Sequence, residues 1–233
     1  MPMMPMFIHD VTFILLIPAM ILAAWAQFRV SSNFNKYSKV MSRRGRTGAD
    51  IARELLRNNG IYDVEVEMGR GHLTDHYDPR SRKVVLSESV YDSPSIAAIS
   101  VAAHEVGHAM QHNSGYVPLS LRSLIVPVAS FGSRIAFPLL LFGIMMGEGG
   151  ALLVDLGIIF FASAVFFQII TLPVEFNASR RAIAVLSDGM YLDEEEVRPA
   201  RKVLNAAAMT YVAATFMALM QLLRMLALSG RRR

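Results

Sequence analysis

The sequence predicts a mainly α-helical integral membrane protein with about four transmembrane helices and a small soluble α+β insert. Hydrophobic residues make up 53% of the 233 positions, and charged residues make up only 18%. The apolar residues are concentrated in four blocks, Phe7–Phe28, Leu124–Met146, Ala151–Pro173 and Ala206–Leu228. Each block has about the 20 residues that a helix needs to cross the hydrocarbon layer. Helices are expected because a backbone exposed to lipid must satisfy its own hydrogen bonds.

The first apolar block is interpreted as an uncleaved anchor. No Lys or Arg precedes Arg29, whereas a signal peptide begins with basic residues. The small residues around Trp25 leave a cleaved signal peptide as the alternative. The predicted domains are a transmembrane anchor (1–28), a soluble α+β insert with the HEVGH helix (29–123), a transmembrane hairpin (124–173), a soluble loop or helix (174–205), and a C-terminal transmembrane helix with a basic tail (206–233).

Local patterns predict the elements of the soluble insert in chain order. A helix is expected from Thr47 to Gly60, because Thr47 and Asp50 have the spacing of a helix start and Gly60 ends it. Alternation of valine and glutamate predicts a strand at Tyr62–Met68. The predicted hairpin then pairs Gly71–Tyr77 with Lys83–Ser87 across an Asp-Pro turn, and a helix capped by Ser93 runs from Pro94 to His112.

The charge pattern predicts the orientation of the chain in the membrane. The net charge is +4, but no nucleic-acid-binding motif accompanies it, so no nucleic-acid partner is expected. With four crossings of the plasma membrane, both soluble segments, 29–123 and 174–205, face the cytoplasm. This agrees with the excess of Lys and Arg near their membrane ends. The basic tail Arg231–Arg233 would lie outside, against that bias.

The motif HEVGH, at positions 104–108, predicts a metal site. On a helix, His104 and His108 lie one turn apart on nearly the same face, so both imidazoles can reach one ion. Glu105 points about 100° away and can act as a general base on a water molecule. Random placement predicts roughly 0.006 such motifs in a chain of this composition. Gly107 would let another segment pack closely beside the site.

Because the chain has no cysteine, any metal site must use His, Asp or Glu ligands. Zinc accepts imidazole and carboxylate ligands, so the metal is predicted to be zinc. A catalytic zinc site needs a third protein ligand. The hairpin of blocks two and three returns the chain to the side of HEVGH, which favours Glu175. Asp188 shares that side and remains an alternative. Three other candidates are less favoured: His112, Glu148 and Asp155. A straight helix cannot bring His112 to the same ion as His104 and His108. Glu148 lies in the turn on the far side of the membrane, and Asp155 lies within the third block.

A resemblance rests on HEVGH, on the hairpin after it, and on the segments LPVEFNASRRA and AAAMTYVAA. With these features the chain resembles, over nearly its whole length, the YugP-like family of membrane zinc metallopeptidases. The HtpX-type and CAAX prenyl membrane proteases are similar more distantly. The resemblance implies a zincin-like insert and a gluzincin-like HExxH zinc metallopeptidase. It also implies that His104, His108 and Glu175 are zinc ligands and that Glu105 is the catalytic base.

The resemblance leaves the partners of the ligands open. In the HtpX-like relatives the third ligand is the Glu of a Glu-x-x-x-Asp pattern. Glu175 matches that Glu, but Ser179 stands where the Asp would be. Asn177 and Arg180 are candidates to take the place of that Asp.

The expected activity is that of an endopeptidase that hydrolyses peptide bonds of membrane or misfolded proteins. Its partners would be a polypeptide substrate and the lipid bilayer, and the oligomeric state is left open. The alternative is a non-catalytic membrane scaffold or regulatory subunit that retains the metallopeptidase fold.

Two features of substrate binding follow from this expectation. The substrate is predicted to add as a strand to an exposed sheet edge, for which Lys83–Ser87 is the candidate. The alternative is that this strand lies inside the sheet. An oxyanion stabiliser is also needed, and the sequence offers five candidates. They are His72, His76, Tyr77, Arg180 and Tyr191.

Overall fold

The computed structural model describes residues 11–71 and 74–230 and confirms a mainly helical membrane protein with a small mixed sheet. Short 3-10 helices occur at Val11–Leu16 and Gly147–Gly150. The α-helices are α1 (Ile17–Tyr37), α2 (Gly48–Asn58), α3 (Glu88–Tyr91), α4 (Ile96–Asn113), α5 (Val117–Met145), α6 (Ala151–Asp188) and α7 (Glu194–Gly230). The strands are β1 (Glu65–Gly69), β2 (His76–Asp78) and β3 (Lys83–Ser87). The start of the first apolar block, His72 and the tail Arg231–Arg233 lie outside the described residues.

Within the described residues, four helical segments are long and apolar enough to cross a membrane, as predicted. They are Val11–Tyr37, Val117–Met145, Gly147–Asp188 and Glu194–Gly230. The helices extend beyond the apolar blocks. α6 has 38 residues and contains Pro173, where the third block ends. At 1.5 Å per residue its length is about 57 Å, nearly twice the ~30 Å of the hydrocarbon layer. One continuous helix therefore carries both the third apolar block and Glu175.

The chain divides into two compact units. The first contains the described parts of 1–25, 121–171 and 211–233, and the second contains Ala26–Ser120 and Leu172–Thr210. Within the first unit α5 and α6 pack closely. A Cβ added to Gly132 would lie 2.7 Å from the carbonyl oxygen of Phe160. Small residues at such crossings let membrane helices approach each other.

The second unit is built on a hydrophobic core shared by α2, α4 and α6. Ile51 and Leu55 on α2, Ile99 on α4 and Leu186 on α6 are all at most 1% exposed and belong to one cluster. Burying side chains of this size contributes about 1.5–3 kcal/mol each, so the cluster fixes α4 against α6. The predicted start of α2 is confirmed. Thr47 caps the helix, and its side chain and that of Asp50 bond reciprocally to backbone N–H groups.

The sheet has the order β1-β3-β2. β2 pairs antiparallel with β3, which confirms the predicted hairpin, although its first strand starts later than expected. β1 pairs parallel with β3 along its full length, from Glu65 opposite Lys83 to Gly69 opposite Ser87. The prediction that Lys83–Ser87 forms an exposed edge is therefore wrong. The strand is central because β1 pairs with the edge that β2 leaves open. Its side chains Val84 and Leu86 are fully buried.

The helix that carries HEVGH begins later than predicted. Its N-cap is Ser95, whose Oγ accepts a hydrogen bond from the N–H of Ala98 at 3.2 Å. Ser93, the predicted cap, instead donates to the Ser95 hydroxyl at 2.9 Å. Pro94 consequently lies before the helix rather than in its first turn. At the other end the chain leaves the helix through Gly115, which has φ of +61°, a conformation that glycine adopts without strain.

Candidate metal centre

Three side chains of the second unit converge where α4 packs against α6. Nε2 of His104 lies 3.3 Å from Oε2 of Glu175, and Nε2 of His108 lies 3.6 Å from the same oxygen. The two imidazole rings meet edge to face with centroids 4.8 Å apart. Among the residues described, these are the three His, Asp and Glu side chains whose donor atoms could share one ion, since all lie within 4.8 Å of one another.

The donor set and its spacing fit zinc. Zinc–nitrogen and zinc–oxygen bonds of about 2.0–2.1 Å at tetrahedral angles place neighbouring donor atoms roughly 3.3 Å apart. The spacings of 3.3 and 3.6 Å to the Glu175 oxygen agree with that geometry. Glu175 is only 2% exposed, and a carboxylate buried to this extent requires compensating partners. Two imidazoles and one carboxylate also make up the protein ligands of many catalytic zinc sites.

A glycine allows α6 to come this close. A Cβ added to Gly107 would lie 2.6 Å from the carbonyl oxygen of Ala178, closer than Cβ atoms approach in real structures. The prediction that another segment packs closely at Gly107 is therefore confirmed, and that segment is α6. Because Ala178 lies one turn beyond Glu175, the same approach sets how far the carboxylate is from the two imidazoles.

The other ring nitrogen of each histidine also has a partner. Nδ1 of His104 lies 3.2 Å from the hydroxyl of Ser179. Nδ1 of His108 lies 3.0 Å from Oε1 of Gln111. With both Nδ1 atoms engaged, both Nε2 atoms face Glu175. Partners of this kind orient metal-binding imidazoles.

These contacts decide which residues support the predicted ligands. Ser179, which stands where the HtpX-like pattern has Asp, contacts His104 directly. Asn177 acts one step away, through Gln111, and Arg180 is exposed. The sequence reasoning missed Gln111. The signal that could have found it is its spacing, since it lies three residues after His108 on the same helix face.

The alternative third ligands lie elsewhere. His112 bonds through Nδ1 to the hydroxyl of Tyr77 at 2.7 Å and is not in the converging group. Glu148 and Asp155 belong to the first unit. Asp188 is 13 residues beyond Glu175 on the same helix, which is about 20 Å at 1.5 Å per residue. The structure therefore brings Glu175, and none of these four, to HEVGH.

The candidate oxyanion stabilisers have different surroundings. Tyr77 contacts α4 through His112, while Tyr191 accepts a hydrogen bond from Asn58 at 2.5 Å. His76 is exposed and bonds to the carbonyl of Thr74 at 2.7 Å. Burial raises the pKa of the Tyr77 phenol above its usual value, so the phenol keeps its proton over a wider pH range than an exposed tyrosine.

The acidic surroundings of His108 favour positive charge at this place. Burial by itself lowers the pKa of the His108 imidazole, but the hydrogen bond to Glu175 and the nearby carboxylate of Glu105 raise it, and the net shift is upward. Glu105 is 8% exposed, on the turn of α4 that carries His104 and His108. The carboxylate of Glu175 beside both imidazoles, with that of Glu105 nearby, creates a negative potential that favours a divalent cation.

Comparisons with known proteins identify the family to which the chain belongs. The model of a family described as "Putative neutral zinc metallopeptidase" matches residues 12–230. A curated relative, the "Putative membrane protease YugP" of Bacillus subtilis (strain 168), is 56% identical over 219 residues. The alignment covers 93% of this chain and 96% of the relative. No solved structure matches the chain significantly.

Proposed function

The chain belongs to the family described as "Putative neutral zinc metallopeptidase", and from that premise we propose that it is a membrane-embedded zinc endopeptidase that hydrolyses peptide bonds of membrane or misfolded proteins. The observation that carries the proposal is the convergence of His104, His108 and Glu175 on one point. The four helices of the described residues that are long and apolar enough to cross a membrane support a substrate at or near the bilayer.

The proposed roles follow from the positions of the side chains. His104, His108 and Glu175 would hold the ion, and a bound zinc would polarise the scissile carbonyl and acidify a water molecule. Glu105 follows His104 on α4 and is offset from it by about 100° around the helix, so we assign it as the general base rather than as a ligand. Its carboxylate takes the proton of the attacking water and passes it to the leaving amine.

The substrate is proposed to add to the sheet along β2. With β3 central, β2 is an edge strand, and its Tyr77 contacts His112 of α4. An extended peptide paired with an edge strand is held by main-chain hydrogen bonds and needs few specific side chains. This mode suits a peptidase with many unfolded substrates.

The decisive experiment for the mechanism is Glu105→Gln in the full chain purified in detergent. The variant should keep its zinc and lose cleavage of casein, because the amide has the size of the carboxylate but cannot take a proton. Glu148→Gln, in the turn between α5 and α6, is the matched control and should cleave normally. Undiminished cleavage by the Glu105→Gln enzyme would exclude Glu105 as the base.

The same preparation distinguishes an enzyme from a scaffold. A wild-type protein that contains zinc and cuts casein supports the endopeptidase. A protein that is free of metal, or that binds zinc without turnover, supports the non-catalytic scaffold. Glu175→Ala should lose zinc, whereas Asp188→Ala should retain it, because Asp188 is about 20 Å away along α6.

The site is proposed to face the cytoplasm from the plasma membrane. The chain contains no cysteine, so single cysteines can be placed at Gly149, in the turn between two spans, and at Tyr62, an 80% exposed residue of the second unit. In intact cells a membrane-impermeant maleimide should label Gly149→Cys and not Tyr62→Cys. The reverse labelling pattern would place the site outside the cell.

A further inference from the structure

A hydrogen-bonded row of polar side chains, buried at Gln111 and partly buried at Asn177 and Arg181, joins α4 to α6 beside the proposed zinc ligands. It consists of Gln111 on α4 and Asn177 and Arg181 on α6. Gln111 is 0% exposed, and an amide buried without hydrogen bonds would cost about 1–3 kcal/mol. Both polar atoms of its side chain are hydrogen-bonded, so the orientation of this amide determines which neighbouring atom must donate and which must accept.

The distances define how the row is connected. Nε2 of Gln111 donates to the carbonyl oxygen of Val174 at 2.8 Å and to Oδ1 of Asn177 at 3.0 Å. Nε of Arg181 donates to the same Asn177 oxygen at 2.9 Å. At the other end, Oε1 of Gln111 lies 3.0 Å from Nδ1 of His108.

The donor or acceptor role of every link follows from its two ends. A guanidinium can only donate, so Asn177 must turn its oxygen toward Arg181 and Gln111. A carbonyl can only accept, so Val174 independently requires the amide nitrogen of Gln111. Gln111 must then turn its oxygen toward His108. That oxygen can only accept, and therefore Nδ1 of His108 must carry the hydrogen.

We propose that Arg181, Asn177 and Gln111 are positioning residues that fix His108 in the tautomer with its hydrogen on Nδ1. A neutral imidazole has one N–H and one lone pair, so this tautomer places the lone pair on Nε2, toward Glu175. A metal-binding nitrogen must offer a lone pair. The relay therefore holds a hydrogen on the ring nitrogen that faces away from Glu175 and leaves Nε2 as the nitrogen that can bind an ion, and this inference rests on the proposed zinc site.

The second histidine lacks such a relay. The partner of His104 Nδ1 is the hydroxyl of Ser179, and a hydroxyl can either donate or accept. His104 can thus take either tautomer without losing this hydrogen bond. The two ligands differ accordingly, since His108 is set in advance and His104 adapts on binding.

The far end of the relay is itself held in place. The guanidinium of Arg181 lies 6.0 Å from the ring centroid of Tyr116, within the range of a cation–π contact. Tyr116 donates from its hydroxyl to the carbonyl of Pro173 at 3.4 Å. Arg181 therefore has a defined position from which to direct Asn177.

The test measures zinc affinity by competition with a chelator, in the full chain purified in detergent. Gln111→Met keeps the length of the side chain and removes both hydrogen-bonding ends. Its affinity should fall about 10- to 100-fold, the usual effect of losing the partner of a metal-binding histidine. Gln27→Met, at an exposed position of α1, is the matched control and should leave zinc affinity unchanged.

A pair of variants at Asn177 separates polarity from packing. Asn177→Asp keeps an oxygen for both Gln111 and Arg181, so zinc affinity should stay at the wild-type level. Asn177→Leu removes that acceptor and should lower the affinity, though less than Gln111→Met, because Val174 still orients Gln111. Equal losses in the Asp and Leu variants would overturn the relay.

Nitrogen-15 NMR of histidine-labelled, metal-free protein gives a readout that a purely structural role would not move. In the neutral form of His108, wild type should show the hydrogen on Nδ1, and Gln111→Met should show a mixture of tautomers. A wild-type protein that binds no zinc would remove the proposed site. A wild type that binds zinc, with Gln111→Met binding it equally well, would remove only the relay.

Discussion

Gly107→Ala should separate the proposed zinc ligands while leaving the protein folded. The added Cβ would lie 2.6 Å from the Ala178 oxygen, and an ordinary contact begins at 3.4 Å, so α4 and α6 must part by 3.4 − 2.6 = 0.8 Å. Because Glu175 is one turn from Ala178 on the same helix, its carboxylate should move with the backbone. Zinc sites tolerate displacements of about 0.2 Å in ligand distance.

The expected energies separate the effect on binding from the effect on folding. Overpacking costs about 1–3 kcal/mol, and replacing a helical glycine by alanine returns about 1 kcal/mol. The free energy of unfolding should thus fall by about 0–2 kcal/mol. Zinc affinity should fall at least about tenfold, the lower end of the range for disturbed ligand support. Chelator competition measures the affinity, and thermal unfolding in detergent measures the stability.

Gly149→Ala is the matched control, because an added Cβ there has no atom within 4 Å and the residue belongs to the other unit. It should change neither zinc affinity nor stability. If Gly107→Ala binds zinc as tightly as the wild type, then the approach of α6 to α4 at this residue does not set the ligand spacing, and the reasoning is refuted.

Three further changes test the surroundings of the site. Ser179→Ala removes the hydroxyl beside His104 and should lower zinc affinity by about tenfold or less, since His104 has no oriented relay. His112→Ala should leave zinc affinity unchanged, because His112 is not in the converging group. Thr47→Ala removes the capping box of α2 and should lower the free energy of unfolding by about 1 kcal/mol. The hydrogen bond with Thr47 lowers the pKa of the Asp50 carboxyl in the folded protein. The stabilisation from this bond is therefore fully present above the pKa of Asp50 in the unfolded chain, and it is lost as the pH falls through the pKa of Asp50 in the folded protein.

Each of these changes has an outcome that would contradict it. A zinc affinity in Ser179→Ala equal to the wild type would mean that the hydroxyl does not support His104. Loss of zinc in His112→Ala would make His112 a ligand. For Thr47→Ala, a free energy of unfolding equal to that of the wild type at neutral pH would show that the capping box does not stabilise the second unit.

The sequence predicted correctly the features that depend on short spacings. The lengths of the apolar blocks predicted four spans, and the positions of Thr47 and Asp50 predicted the start of α2. The spacing of His104 and His108 placed both on one helix face. Neighbouring residues determine these features, through helix geometry and local hydrogen bonds.

The predictions that were wrong involve choices between similar local options or pairings over distance. Ser93 and Ser95 flank Pro94, and both can cap a helix, so the sequence pattern did not distinguish them. The place of β3 in the sheet depends on its parallel pairing with β1, whose first partners, Glu65 and Lys83, are 18 positions apart. The alternation of residues within a strand does not encode whether one or both of its hydrogen-bonding edges are paired.

The sequence by itself determined two histidines and a glutamate on one helix, and the return of the hairpin favoured Glu175. Only the tertiary structure decided that the Glu175 oxygen lies 3.3 and 3.6 Å from the two imidazoles, and that Gln111 bonds His108. In the sequence Gln111 looks like an ordinary polar residue of a helix. It becomes a buried link only because Gly107 lets α6 lie against α4, and a contact between residues this far apart depends on packing rather than on local pattern.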